Sequence, residues 1–225
     1  MKQILLSGGG NAEQSKRLDE ILVSLISENK KILYIPIAWS SGVYDSCSKW
    51  FLSTFSLFGT ERIEMWTKLS KKEYNDLEQF GAIYIGGGNT FSLMNDLRKS
   101  GFIGLLKKFI ESGRVVYGGS AGAIIFGKDI RTAFYGNDSD ENLVNLADFS
   151  GLNLVNDFSI QCHYKNNQDK EIFDFIKETK LNVIALHEDT GLWVLNDKIK
   201  VIGYNPAYIF RNGKKNEVKV DSFVK

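Results

Sequence analysis

Arg114-Val115-Val116-Tyr117-Gly118-Gly119-Ser120-Ala121-Gly122-Ala123-Ile124-Ile125-Phe126 is the stretch from which the rest of the chain can be organised. A β-branched and aromatic run breaks into two glycines, a serine and a small residue, then resumes as an apolar segment of small side chains. The pattern is strand, sharp turn, helix. It satisfies G-x-S-x-G, in which a serine is lifted above the end of a sheet strand and the next backbone N–H lies at a helix start. Small neighbours are needed because the turn passes close to itself. A glycine-rich strand-to-helix turn also cradles anions in binding folds, so the motif alone leaves a nucleophile and a plain turn or anion site both open.

Working outward, Ala82-Ile83-Tyr84-Ile85 reads as a strand running into Gly86-Gly87-Gly88-Asn89-Thr90, with helical spacing at Phe91, Met94 and Leu97 behind it. A second helix over 103–110 stops at Gly113. Toward the N-terminus, a strand at 3–6 precedes Gly8-Gly9-Gly10-Asn11 and a helix whose apolar face is Leu18, Ile21, Leu22, Leu25 and Ile26. A buried strand at 31–37, an aromatic-rich helix over 43–58 and a strand at 62–66 follow. Ser70-Lys71-Lys72-Glu73 has the form of a capping box and predicts a short helix toward Phe80.

Strands separated by helices can pair in parallel, because the crossover is long enough, so the first half predicts a doubly wound, mainly parallel α/β sheet. A further strand is expected at 158–162. After about residue 180 the pattern changes to short strands at 182–186, 192–195, 199–204, 208–210 and 217–220, with turns at Asp197 and Asn212-Gly213. These predict an antiparallel C-terminal meander closing the same sheet. No repeat or linker interrupts the chain and its only prolines are Pro36 and Pro206, so a single domain over 1–225 is expected.

The chain carries 28 basic and 27 acidic side chains, a net charge of +1, which recruits neither nucleic acid nor an anionic membrane. The apolar stretch at Ile4-Leu5-Leu6 is too short for a signal peptide or a membrane span. Cys47 and Cys162 are far apart and only two histidines are present, which supports neither a zinc site nor a disulfide framework, and a reducing cytoplasm is expected. The first glycine loop is not a dinucleotide fingerprint: Glu13 stands where the third glycine belongs, and the strand ending in Ile35-Pro36 brings no acid for a ribose.

All three glycine loops fall at the carboxyl ends of predicted strands, where an open parallel sheet has its functional crevice. A serine nucleophile there needs a base, and the candidates are His163 and His187, each at a strand end. Side chains alternate along a strand, so His187 and Glu188 point opposite ways. Two arrangements follow: His163 oriented by Glu188, or His187 oriented by an acid such as Asp138 or Asp140.

Taken together, Tyr84-Ile85-Gly86-Gly87-Gly88-Asn89-Thr90, Gly118-Gly119-Ser120-Ala121-Gly122-Ala123, His163 at a strand end and Ala185-Leu186-His187-Glu188-Asp189-Thr190 resemble the peptidase E (alpha-aspartyl dipeptidase) family of serine peptidases, relatives of cyanophycinase. The similarity runs over nearly the whole chain. It implies a flavodoxin-like α/β fold related to class I glutamine amidotransferases, with Ser120 as nucleophile. A histidine some forty residues beyond the serine belongs to the family pattern, and His163 lies 43 residues on. The family acid, a glutamate followed by glycine or aspartate, corresponds to Glu188. Asp129 and Asp138 stay open as alternative acids.

The resemblance also implies that Gly87, Gly88, Asn89 and Thr90 line the substrate cleft, and that a Gly87 or Gly88 N–H joins that of Ala121 in holding an oxyanion. Neither metal nor organic cofactor is implied. The expected function is hydrolysis of short peptides by a cytoplasmic serine peptidase, with an amidase or esterase on the same fold, or a non-catalytic small-ligand-binding module, as alternatives. Peptidase E grips its aspartyl substrate with an arginine beyond the histidine, whereas no arginine lies between Arg131 and Arg211 here. Lys165, Lys170 and Lys177 cannot reproduce a bidentate guanidinium, so aspartyl specificity does not carry over. Trp39, Trp50 and Trp66 suit either the core or a dimer face, which leaves monomer and homodimer open.

Overall fold

A computed structural model describes residues 1–27, 29–59, 62–136 and 138–224. Its first sheet has seven strands. In chain order these are β1 (Gln3–Ser7), β2 (Lys31–Ile35), β3 (Ile63–Met65), β4 (Phe80–Ile85), β5 (Val115–Gly119), β8 (Thr190–Leu195) and β9 (Lys198–Gly203), arranged β3-β2-β4-β5-β1-β8-β9. The first five are parallel, while β8 runs antiparallel to β1, and β9 to β8.

Both faces of this sheet are covered, which is why its strands read as continuous apolar runs. On one face, Leu5, Ile32, Tyr34, Tyr84 and Tyr117 pack with Leu18 and Leu22 of α1 (Ala12–Ser24) and Phe51 and Phe55 of α2 (Tyr44–Ser56). On the other, Ile4, Leu6, Leu33, Ile83, Ile85 and Val116 meet α3 (Thr90–Lys99), α4 (Phe102–Glu111) and the short α5 (Ala121–Ile124). The alternation of neighbours between two cores, Ile4 and Leu6 against Leu5, follows from the two-residue period of a strand.

The C-terminal region departs from the expected single meander. Only β8 and β9 extend the first sheet. β6 (Phe158–Gln161), β7 (Asn182–Ala185), β10 (Ala207–Arg211) and β11 (Lys214–Val218) form a second sheet in the order β11-β10-β7-β6, with β6 and β7 parallel across the crossover helix α6 (Asp169–Thr179). The chain leaves the second sheet after β7, adds β8 and β9 to the first, and returns. Ile160, Ile184 and Ile209 belong to the same hydrophobic cluster as Ile4 and Ile85, while Val183, Ala185 and Phe210 pack with Ile172 and Phe175 of α6. The hairpin turns are as expected: Asn196 and Asn212 adopt φ of 54°, the left-handed geometry of tight hairpins, and Gly213 follows at 69°.

The expected capping box at 70–73 is displaced. Lys71 has a φ of 64°, which no first helical residue can adopt, so no helix starts behind Ser70. Glu73 instead caps a single 3-10 turn, Tyr74–Leu77, and its N–H donates to Asp76 Oδ2 at 2.8 Å. Trp66 is buried in the core, whereas Trp39 and Trp50 remain exposed, and both cysteines are free.

Asp19, on the inner face of α1, is 1% exposed and accepts a hydrogen bond from Ser15 Oγ at 2.7 Å. Burial pushes its carboxyl up to about 7, against the lowering effect of the Ser15 hydroxyl. A folded-state value above the unfolded one means that the stability it contributes is fully present below pH 4 and lost as pH rises to about 7. Asp19→Asn is therefore expected to gain on the wild type across that window, by on the order of a few kcal/mol at pH 8. Urea unfolding of the pair at several pH values measures the difference; a difference independent of pH would show that Asp19 stays ionised in the fold.

Candidate active site

Three glycine-rich loops leave the carboxyl ends of the adjacent strands β4, β5 and β1, and Ser120 stands at the middle one. Its backbone has φ 50° and ψ −114°, outside the regions an L-residue prefers, the strained geometry of a nucleophile elbow. The strain is held by neighbours: Ser120 N–H donates to Ser7 O at 3.1 Å, and Ser120 O accepts from Ala123 N at 2.7 Å and Ile124 N at 3.0 Å. Gly118 is obligatory beneath it, since a Cβ there would lie 2.2 Å from Gly122 O.

The second sheet brings the imidazole. His163 follows β6 with a φ of 51°, and its N–H donates to Gly8 O at 2.9 Å, tying the second sheet to the first glycine loop. Its Nε2 lies 2.7 Å from Ser120 Oγ and its Nδ1 3.3 Å from Glu188 Oε1. Glu188 sits in the link between β7 and β8. Burial works against its charge, but hydrogen bonds from His163 and Gln14 outweigh that and hold the carboxyl below its ordinary value. The site is therefore assembled at the junction of the two sheets.

Gln14 is the residue that sequence reading missed. Its Nε2 donates to Glu188 Oε2 at 3.2 Å, while its Oε1 accepts from Asn11 N at 2.9 Å. Asn11 Oδ1 in turn accepts from Gln14 N at 3.1 Å, completing a capping box at the start of α1. The Asn11-x-x-Gln14 spacing was the available signal. The helix cap thus anchors the glutamate from behind.

The other candidates separate cleanly. His187 turns away, its ring 5.1 Å from Tyr164 and 5.8 Å from Tyr208. Asp129 is occupied by Arg131, whose Nη2 donates to Oδ2 at 2.8 Å. Asp138 is exposed, but its carboxylate and the ligand atoms of His163 and Glu188 lie within 4.8 Å of one another. That spacing could hold a cation, although His163 and Glu188 are already hydrogen-bonded to each other. Asp140 is half-buried and accepts Thr90 N–H at 2.8 Å; burial pushes its carboxyl above the ordinary value.

Gly87 lies against Ser120, where an added Cβ would approach Ser120 Cβ to 3.1 Å, and Gly88 lines the pocket beside the serine. Ala121, buried, follows Ser120 as the first residue of α5. Asn89 and Thr90 stand behind this surface instead of lining it. Asn89 caps α3 through Ser92 N at 2.9 Å and donates to Glu141 O at 2.9 Å, and Thr90 is fully buried. Their role in the geometry is to hold the loop and Asp140. A hydroxyl, an imidazole and a carboxylate in hydrogen-bonded series can pass a proton from the hydroxyl to the ring and stabilise the resulting charge.

Residues 3–202 match peptidase family S51. A peptidase E of Shewanella denitrificans is 29% identical over 219 residues, covering 93% of this chain and 89% of that protein. The crystal structure of a peptidase from an acI-B1 Actinobacterium superposes with a TM-score of 0.75 at 20% identity, covering 100% of this chain and 96% of the other. A candidate peptidase E protein from Listeria monocytogenes EGD-e superposes at 0.69 with 22% identity, covering 91% and 100%. At these identities the structural likenesses speak for the α/β fold, with its mainly parallel sheet and antiparallel C-terminal strands.

Proposed function

This chain belongs to peptidase family S51, a family of serine peptidases, and on that premise we propose that it hydrolyses short peptides through Ser120, His163 and Glu188. The observation that carries the reading is the 2.7 Å contact between Ser120 Oγ and His163 Nε2 on a strained elbow. In the proposed reaction Ser120 Oγ attacks the peptide carbonyl while His163 Nε2 takes its proton. Glu188, held by Gln14, keeps the Nδ1 proton in place and stabilises the imidazolium.

The oxyanion is met by N–H groups of Ala121 and of Gly87 or Gly88, worth about 100- to 1,000-fold each in systems where one such donor has been removed. The imidazolium then protonates the leaving amine, and water resolves the acyl-enzyme with the same base. Residues 1–225 act as one domain in this reading, since strands of both sheets share a core. No described helix is long and apolar enough to cross a membrane, and a cytoplasmic setting with a small peptide as partner fits the reading.

Intact-mass labelling with a serine-directed fluorophosphonate tests it. Wild type and His187→Ala are expected to take one adduct, and Ser120→Ala none. His163→Ala is expected to react at least about 100-fold more slowly, the general-base contribution. A full adduct on His163→Ala together with none on His187→Ala would reverse the assignment of the base. No adduct on folded wild type would remove the hydrolase reading itself.

A further inference from the structure

We propose that the pocket beside Ser120 selects substrates carrying an organic cation, an ammonium or guanidinium, on the side chain of the residue whose carbonyl is attacked. The proposal rests on the hydrolase reading above. The pocket is lined by Asp138 and Asp140 together with Gln161, and among its described lining residues there is neither lysine nor arginine. Asp138 is within 4.8 Å of the ligand atoms of His163 and Glu188, so at least one carboxylate stands close to where the acyl group must sit. Asp140 has one oxygen on Thr90 N–H, and no lysine or arginine stands among the described residues that line the pocket to offset its burial.

Gln161 gives a second, independent indication. It is 4% exposed, lines the same pocket, and uses its Nε2 on Cys162 O at 3.0 Å, while its Oε1 has no hydrogen-bond partner among the described residues. A buried acceptor without a donor costs stability unless something supplies one. Three acceptors, and among the described residues no lysine or arginine, line the space an incoming group enters, and a group rich in N–H donors satisfies them. An alkyl stem finds Ile124, Ala133 and Tyr135 on the same walls. An aspartyl side chain would instead enter a pocket that already holds two carboxylates, and the nearest arginine in sequence, Arg131, is committed to Asp129 and Glu178.

The test is a set of aminoacyl-coumarin amides carrying lysine, norleucine or aspartate, the first two with and without Nα-acetylation. Lysyl is expected to exceed norleucyl in kcat/KM by about 10- to 100-fold on the free-amine substrates. Equal rates on lysyl and norleucyl with a loss on acetylation alone would mean that only the α-ammonium is read, and would overturn the proposal. Aspartyl is expected below norleucyl. Asp138→Asn, at an exposed position, and Asp140→Asn, whose amide oxygen can still accept Thr90 N–H, should each reduce the preference for lysyl by about tenfold. Thermal melting confirms that both are folded.

Indifference to the side-chain charge, or a preference for aspartyl, on an enzyme that fluorophosphonate labels at Ser120 would overturn the proposal and leave the hydrolase reading standing. So would an equal loss on all substrates in both variants, which would mean that the carboxylates act on His163 and not on the substrate. Absence of both labelling and turnover would remove the two readings together.

Discussion

Ser120→Ala is expected to lower kcat/KM by about 10,000- to 1,000,000-fold on any substrate the wild type cleaves, and combining it with His163→Ala is expected to cost no more. The non-additivity is the informative part. In the proposed mechanism Ser120 Oγ and His163 Nε2, 2.7 Å apart, act as one unit: without the base the hydroxyl is a poor nucleophile, and without the hydroxyl the base has nothing to activate. What survives is the oxyanion contact and substrate binding. The fold should not suffer. Alanine tolerates φ 50° no better and no worse than serine, and the bonds that hold the elbow are made by backbone atoms of Ser7, Ser120, Ala123 and Ile124. Thermal midpoints of the single and double variants should lie within a few degrees of the wild type. Additive losses in the double variant would show that the two side chains act separately, and a Ser120→Ala enzyme with wild-type turnover would move the nucleophile elsewhere.

What could be read from sequence, and what could not, divides along physical lines. The parallel sheet was legible because strands covered on both faces leave unbroken apolar runs, as in Ala82-Ile83-Tyr84-Ile85, and because the glycines at their carboxyl ends punctuate them. The second sheet was not. β6, β7, β10 and β11 are four or five residues each, and short strands announce neither partner nor register, so a meander was the simplest expectation. That second sheet is nonetheless what delivers His163 to Ser120, through a backbone bond to Gly8 that no local pattern encodes. Gln14 was hidden differently. Its capping box was present in the sequence, but the contact with Glu188 spans 174 residues. Asp140 was visible as a candidate acid, while its burial against Thr90 belongs to tertiary structure alone.

The same junction explains why Gly9→Ala is expected to be among the most damaging single changes for activity while sparing the fold. Gly9 has φ +121°, and an added Cβ would lie 2.2 Å from His163 Cε1, 2.7 Å from Nδ1 and 2.8 Å from Nε2. All three contacts are with the movable end of one side chain, so the ring can swing away and relieve the overlap. What remains is backbone strain of about 1–3 kcal/mol for a non-glycine residue in that region, a tolerable loss for a domain of this size. On the proposed mechanism the catalytic cost is larger, because the displaced ring leaves Ser120 Oγ and Glu188 Oε1 together. A misplacement of about 1 Å already costs on the order of 100-fold, and loss of the base approaches the cost of His163→Ala. Gly9→Ala should therefore fold, melt somewhat earlier and fail to take the fluorophosphonate at the wild-type rate. Gly42→Ala, with nothing within 4 Å of the added Cβ, is the control that should label as the wild type does. Wild-type labelling of a folded Gly9→Ala protein would mean that the imidazole does not occupy the space above Gly9 when the enzyme reacts, and the base would then have to be sought in another conformation of His163 or at His187.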